Sequence, residues 1–262
     1  MNLTTKKRLV AGGIMILFAT IIFVYFHDKP LPVRDYSEIQ DQGVLNIVTE
    51  YNSIGYYVSG DSIAGLQYKL CRYIEQRSGL KVHLSLENNL ETSIQKLQQN
   101  VYDVIAMNIP VTTEIKKEVA FTVPITQNKQ VLVQRLLNAN DTTPLIRNQM
   151  DLAGKTLYVP KNSPNLLRLH NLSEEIAAPI YIKETTEYAQ EQLLYMVAYQ
   201  EIDYAVVDKE IAQKNIQSFP NIDIQTDISF TQLQAWAVRK DSPVLLDSLN
   251  VWLSGRSTVI GL

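Results

Sequence analysis

The chain has 262 residues, 24 lysines plus arginines against 27 aspartates plus glutamates, 46% hydrophobic residues and a single cysteine. That balance excludes a disordered, collagen-like or disulfide-scaffolded chain and leaves one globular body of one or two domains. Residues 1–26 hold Lys6, Lys7 and Arg8 and no acid, so the remainder carries 21 cationic against 27 acidic residues and has no general attraction for nucleic acid.

From Leu9 to Phe26 every residue is apolar, aromatic, Gly or Thr. A helix of this length spans about 27 Å, close to the hydrocarbon thickness of a bilayer. The segment Val24-Tyr25-Phe26-His27-Asp28-Lys29-Pro30 that follows contains no small-x-small cleavage site, and Cys71 is too distant to be a lipidation site. The expectation is an uncleaved signal anchor, with cleavage as the alternative. Lys6-Lys7-Arg8 keeps residues 1–8 cytoplasmic by the positive-inside rule, so everything from about His27 is exported. In a bacterium with two membranes this means one span in the inner membrane and a soluble domain in the periplasm.

After a linker containing Pro30 and Pro32, Gly43 opens a strand at Val44–Thr49. Apolar residues at helical spacing follow from Leu66 to Arg77, stopped by Ser78-Gly79. Lys81–Leu86 alternates as a strand, Leu90–Gln99 reads as a helix, and Val101–Met107 as a buried strand. A second round comprises Lys155–Val159, a helix from Ser163 to His170, Pro179–Ile182, a helix from Glu187 to Tyr199, and Asp203–Val207. Two tandem β-α-β-α-β units predict an α/β fold with mostly parallel sheets. Gln130–Gln134 and Gln234–Val238 suit two crossings between lobes, and a helix near Leu245–Leu253 returns to the first. The expected organisation is a cytoplasmic end over 1–8, a transmembrane anchor over 9–26, and a linker over 27–35. The first lobe then covers 36–129, the second lobe with its hinge strands 130–228, and 229–262 returns to the first.

Several strings in this order resemble a known family. They are Ile39-Gln40-x-x-Gly43-x-Leu45, Ala64-Gly65-Leu66-x-Tyr68-x-Leu70, and Asp103-Val104-Ile105 followed by Thr112-Thr113-Glu114 and Val119-Ala120-Phe121-Thr122-x-Pro124. Further along come Asp151-Leu152-Ala153-Gly154-Lys155-Thr156-Leu157, Glu201-Ile202-Asp203-Tyr204-x-Val206-x-Asp208 and Ala235-Trp236-Ala237-Val238-Arg239-Lys240-Asp241. Together they resemble the extracellular solute-binding proteins of family 3, and more closely the N-terminal non-catalytic module of membrane-bound lytic murein transglycosylase F. The resemblance implies a two-lobed periplasmic-binding-protein (venus flytrap) fold that closes on a small polar solute and performs no chemistry. The partner of such a module is an ABC permease or a cell-wall enzyme. Lysozyme-like transglycosylases use a Glu followed by Ser as catalytic acid, and no Glu-Ser dipeptide occurs in this sequence. The chain ends at Leu262, shortly after the last expected helix, so a catalytic domain is not expected. Two other readings are a sensor of muropeptides or peptides in cell-wall metabolism and a degenerate transglycosylase F without its catalytic domain.

Candidate ligand-binding residues follow. In amino-acid-binding members, an Arg after the Thr-x-Glu element grips the ligand carboxylate through a bidentate fork. Here that position is Ile115, so a standard free amino acid is not the expected ligand. Asn108 and Pro110 stand where the family has a small residue and a hydroxyl donor. Asp208 follows a buried strand at its carboxyl end and matches the family position that takes a ligand ammonium; the competing reading is a helix N-cap for the segment beginning Lys209. Glu50 has the same geometry after the first strand. Tyr51, Tyr56 and Tyr57 occupy the following loop, where aromatic walls sandwich solutes or simply pack. Lys161-Asn162-Ser163-Pro164 joins strand to helix, with Ser163 expected as N-cap and Pro164 at the first helical position, a generic anion site or plain capping. Glu174-Glu175 reads as a solvated helix face, and Cys71 as a small core residue. His27, His83 and His170 lack ligand spacing, so neither a metal nor a cofactor is expected.

Overall fold

The computed structural model describes residues 34–136, 144–161, 163–164, 166–186 and 189–255. The expected membrane span over 9–26 lies outside them; no helix among the described residues is long and apolar enough to cross a membrane.

The described chain opens on α1 (Tyr36–Gln42), capped by Asp35, whose carboxylate accepts from the Tyr36 amide while Glu38 reaches back to the Asp35 N–H. Gly43, at φ 68°, ends it in the left-handed region. Then come β1 (Val44–Thr49), the hairpin β2 (Tyr57–Ser59) and β3 (Ser62–Ala64), α2 (Leu66–Ser78), β4 (Lys81–Leu86), α3 (Leu90–Gln98) and β5 (Val104–Pro110). Helix α2 buries Leu70, Cys71 and Ile74 on one face and stops at Gly79, φ 72°, where the sequence places its stop. Short strands β6 (Ala120–Phe121) and β7 (Thr126–Asn128) follow, and one residue later β8 (Gln130–Arg135) begins in the second lobe.

The second lobe contains β9 (Thr156–Pro160), α4 (Leu166–Glu175), β10 (Tyr181–Thr185), α5 (Gln190–Ala198), β11 (Tyr204–Asp208), α6 (Lys209–Asn215) and β12 (Ile222–Asp227). The chain then crosses back into β13 (Gln232–Val238) and α7 (Pro243–Leu253). The first sheet has the order β4-β1-β5-β13-β6, with β7 also beside β13, and the second β10-β9-β11-β8-β12. In each, three strands are parallel, while the strands next to a crossing pair antiparallel. The sheets are therefore mixed rather than mostly parallel, because a chain that crosses directly from one lobe to the other enters the new sheet running the opposite way to the β-α-β strands.

Each sheet is buried on both faces, as strands with helices on both sides must be. In the first lobe, Leu45, Ile47, Leu70, Ile74, Trp236, Leu249 and Trp252 pack on one side, and Val48, Ile94, Leu97, Ile105 and Met107 on the other. In the second, Val131 and Val207 pack with Leu193 and Val197 of α5, while Leu132 and Leu157 pack with Leu169 and Leu172 of α4. The Cys71 thiol sits inside the first core, where burial pushes it up to about 12.

A charged cluster stands inside this apolar body. Asp103 is fully buried and accepts from Arg34 Nε at 2.7 Å, Arg239 Nη2 at 3.3 Å and the Asn46 amide at 2.9 Å. Arg239 also donates to the Leu97 and Tyr102 carbonyls, so every charge here has partners. Asp35, next to Arg34, accepts from the Leu245 amide at 2.8 Å and so joins the start of α7 to the start of α1. The first described residues are thereby fixed to the first lobe.

Candidate functional site

The carboxyl ends of β1, β4, β9, β10 and β11 all open onto one cavity of about 930 Å³ between the lobes. This is the edge where open α/β sheets collect ligands, because the β-to-α loops there present free backbone groups and side chains. Of the sequence candidates, Glu50, Tyr51, Asn108, Lys161, Ser163 and Asp208 line it, and Tyr57 with them. Tyr56 does not. Its carbonyl accepts from the Asn52 amide at 3.1 Å, and its ring stands edge-on to Tyr68 at 5.8 Å.

The loop from Glu50 to Tyr56 owes its shape to two close backbone approaches. Asn52 Oδ1 accepts from the Ile54 and Gly55 amides at 3.0 and 2.6 Å. Gly65 sits at φ 118°, where a Cβ would lie 2.2 Å from the Gly55 carbonyl oxygen, so only glycine fits. This packing holds Glu50 and Ser53 at the cleft.

Glu50 comes from the first lobe; Asp208 and Glu191 come from the second. Burial, reinforced by the Asp208 and then the Glu191 carboxylates, pushes Glu50 up to about 7, against a hydrogen bond with Asn52 that lowers it. Glu210 is also raised, by burial and then by Asp208. Asp208 occupies the N-cap position of α6, yet its side chain makes no capping bond. It accepts instead from Gln190 Nε2 at 3.2 Å, while Gln190 Oε1 takes the Asp208 amide at 2.6 Å. The carboxylate is thus oriented from α5 toward the cleft wall.

Asn108 is oriented from the core. Trp236 Nε1 donates to Gln67 Oε1 at 2.6 Å, and Gln67 Nε2 donates to Asn108 Oδ1 at 2.7 Å. With its oxygen engaged, Asn108 has its amide hydrogens left to donate. The anion site expected at Ser163 is altered: α4 starts at Leu166, so Ser163 is not its N-cap nor Pro164 its first residue, and the Ser163 N–H donates to the Pro160 carbonyl at 3.1 Å. Lys161 and Lys214 are the cationic side chains of the cleft among the described residues, and both are exposed. No arginine lines it among those residues. Ile115 lies in a short 3₁₀ turn, half-buried against Val48, Ile94 and Val119, and does not line the cavity.

Sequence reasoning missed the residues that touch across the cleft. Ser53, in the first lobe, donates from its amide and its Oγ to Glu191 Oε1 at 2.8 and 2.9 Å, and accepts from Asn215 Nδ2 at 2.9 Å. Glu191 stands one residue into a helix that follows a strand's carboxyl end, so the rule that singled out Glu50 and Asp208 reaches its neighbourhood; nothing local pairs it with Ser53. Outside the cleft, Glu174 and Glu175 are exposed, with Glu175 paired to Arg168, and His83 and His170 are exposed. No group of three or more His, Cys, Asp or Glu side chains suited to a metal occurs among the described residues.

Most of the chain resembles proteins of known structure. The arginine-bound form of truncated arginine-binding protein from T. maritima superposes with TM-score 0.72 at 23% identity, over 83% of this chain and 98% of that one. A structure of an ancestral amino acid-binding protein that preceded cyclohexadienyl dehydratase superposes at TM-score 0.70 and 20% identity, over 85% and 93%. Both likenesses concern the fold. Among curated sequences, membrane-bound lytic murein transglycosylase F from Desulfosudis oleivorans is 26% identical over 227 residues, 86% of this chain and 48% of the relative. The Pseudomonas fluorescens protein of the same name is 25% identical over 249 residues, 94% and 48%. The chain spans about half the length of these relatives. The family model for bacterial extracellular solute-binding proteins, family 3, matches residues 45–257, and the chain belongs to that family.

Proposed function

We propose that this protein binds a small polar solute through a cationic group in the interlobe cleft and releases it unchanged, at the outer face of the membrane to which residues 9–26 anchor it. The observation that carries this reading is the charge of the cleft: Glu50, Asp208 and Glu191 converge from both lobes, and no arginine lines it among the described residues. A buried ammonium or guanidinium finds partners there; a carboxylate meets only the exposed Lys161 and Lys214. The solved neighbour from T. maritima is bound to arginine, whose side chain is such a cation.

A second reading is supported by the curated relatives, whose matched half accompanies a murein transglycosylase. In it the solute is a cell-wall peptide, an ammonium-bearing ligand compatible with the same cleft, and the module reports to a wall enzyme instead of a permease. A thermal-shift screen of amines, amino acids, dipeptides and muropeptides separates the two, because a ligand that binds only the folded state raises its melting temperature by mass action. The first reading expects shifts from small cations and the second from muropeptides alone. Shifts only from solutes that carry no cationic group would overturn both. Incubation with purified peptidoglycan is expected to release no anhydro-muropeptides by mass spectrometry; their release above a heat-killed control would overturn the non-catalytic reading.

A further inference from the structure

We propose that the cleft is a proton-gated clamp: Ser53, Glu191 and Asn215 latch the lobes together, and the latch holds only when a proton or the solute's cation sits among the facing carboxylates. The second half rests on the cation reading of the cleft; the first does not.

The closing contacts belong to the protein itself. The loop after β1 reaches into the second lobe, where Ser53 bonds Glu191 and Asn215 through three hydrogen bonds of 2.8 to 2.9 Å. Beside it, Ile54 packs against the second lobe's core of Val131, Leu193, Leu194 and Ile211. They are opposed by the charges they bring together, because closing the lobes also sets Glu50 against Asp208 and Glu191.

Among the described residues, no cation offsets that opposition at Glu50. From the end of β4 comes Glu87, already bonded to Lys96 at 3.3 Å. The loop after β9 supplies Lys161 and α6 supplies Lys214, both exposed, while Glu210 adds a further carboxylate beside Asp208. Tyr51 and Tyr57 contribute phenol hydroxyls. Neither His83 nor His170 lines the cavity; among the described residues that do, Glu50 is the group raised to about 7.

Glu50 provides the proton site. Closed, it holds its proton up to about pH 7; with the lobes apart and the group hydrated, it returns toward the ordinary value of 4.5. Closure without solute therefore takes up a proton. Its contribution is complete below about pH 4.5 and lost as pH rises through 7, and the closing equilibrium changes roughly 30-fold between pH 8 and pH 5.5. A cation lodged beside Glu50 does the same work above pH 7, and binding it below pH 7 expels the proton.

The experiment is energy transfer between dyes on the full chain in detergent, attached at Gln95→Cys and Asn171→Cys. These are exposed positions on α3 and α4, helices that start at opposite cleft walls, while native Cys71 is buried and unreactive. The expected result is a shorter distance at pH 5.5 than at pH 8.5. Glu50→Gln should give the short distance at both, and Ser53→Ala the long one at both. Asn215→Ala, which removes one latch donor without touching Glu191, should shift the transition to lower pH and checks against a misfolded Ser53 variant. A distance independent of pH in the unaltered cleft, or a response that survives in Glu50→Gln, overturns the clamp. Adding agmatine at pH 8.5 should shorten the distance; if it does not while the pH response stands, the clamp holds and the cation half falls.

Discussion

Replacing Asp103 by alanine is expected to lower the unfolding free energy by about 3–5 kcal/mol, the usual cost of leaving a buried charge without its partner. Arg239 lies inside the first lobe with only about 5% of its surface exposed, and without Asp103 its guanidinium keeps carbonyl partners but no counter-charge. Arg34 and the Asn46 amide lose acceptors in the same step. Urea unfolding followed by tryptophan fluorescence reads this directly, because both tryptophans, Trp236 and Trp252, stand in the first lobe's core. A loss below about 1 kcal/mol, the range of exposed ion pairs, would mean that water replaces the carboxylate and that the network is peripheral.

The second large effect is expected at the cleft. Asp208→Asn keeps an oxygen to accept from Gln190 while removing the charge. Affinity for a cationic probe such as agmatine should fall at least about a hundredfold, since a broken buried pair costs several kcal/mol and each 1.4 kcal/mol is tenfold. Calorimetry at pH 8 is the appropriate measurement, because Glu50 is then ionised and its proton does not obscure the result. A change under about threefold would place the cation away from the end of β11.

Much of the frame was legible because it depends on short-range spacing. β1, β4 and the start of α2 fall where the alternation and the helical spacing put them, and Gly79 ends α2 through a left-handed backbone that any sequence reader can anticipate. The topological rule for strand ends led to Glu50 and Asp208 without knowledge of what faces them. Other features were not legible, most of them for a nonlocal reason. The antiparallel placement of β8 and β13 follows from the lobe crossings rather than from either strand's own pattern. The start of α4 was misplaced by three residues because Ser163-Pro164 carries the capping signals while its N–H folds back on Pro160.

The latch is the clearest case. Ser53 and Glu191 are separated by 138 residues, and neither residue type in its own neighbourhood predicts a contact. Asn108 is similar: its position could be read by resemblance, but its orientation depends on a chain of amides from Trp236 through Gln67. Tyr56 and Tyr57 differ by one position, and only the fold of the loop against Gly65 decides which ring enters the cavity.

Recognition of a cation without a carboxylate grip is tested most directly by calorimetry on matched pairs, L-arginine against agmatine and L-lysine against cadaverine, which differ only in the α-carboxylate. With Ile115 packed into the first lobe and no arginine lining the cleft among the described residues, the amines are expected to bind at least as tightly as their amino acids. Binding of either amino acid a hundredfold tighter than its amine would contradict this, because it would require a carboxylate grip that the cleft's described residues do not supply.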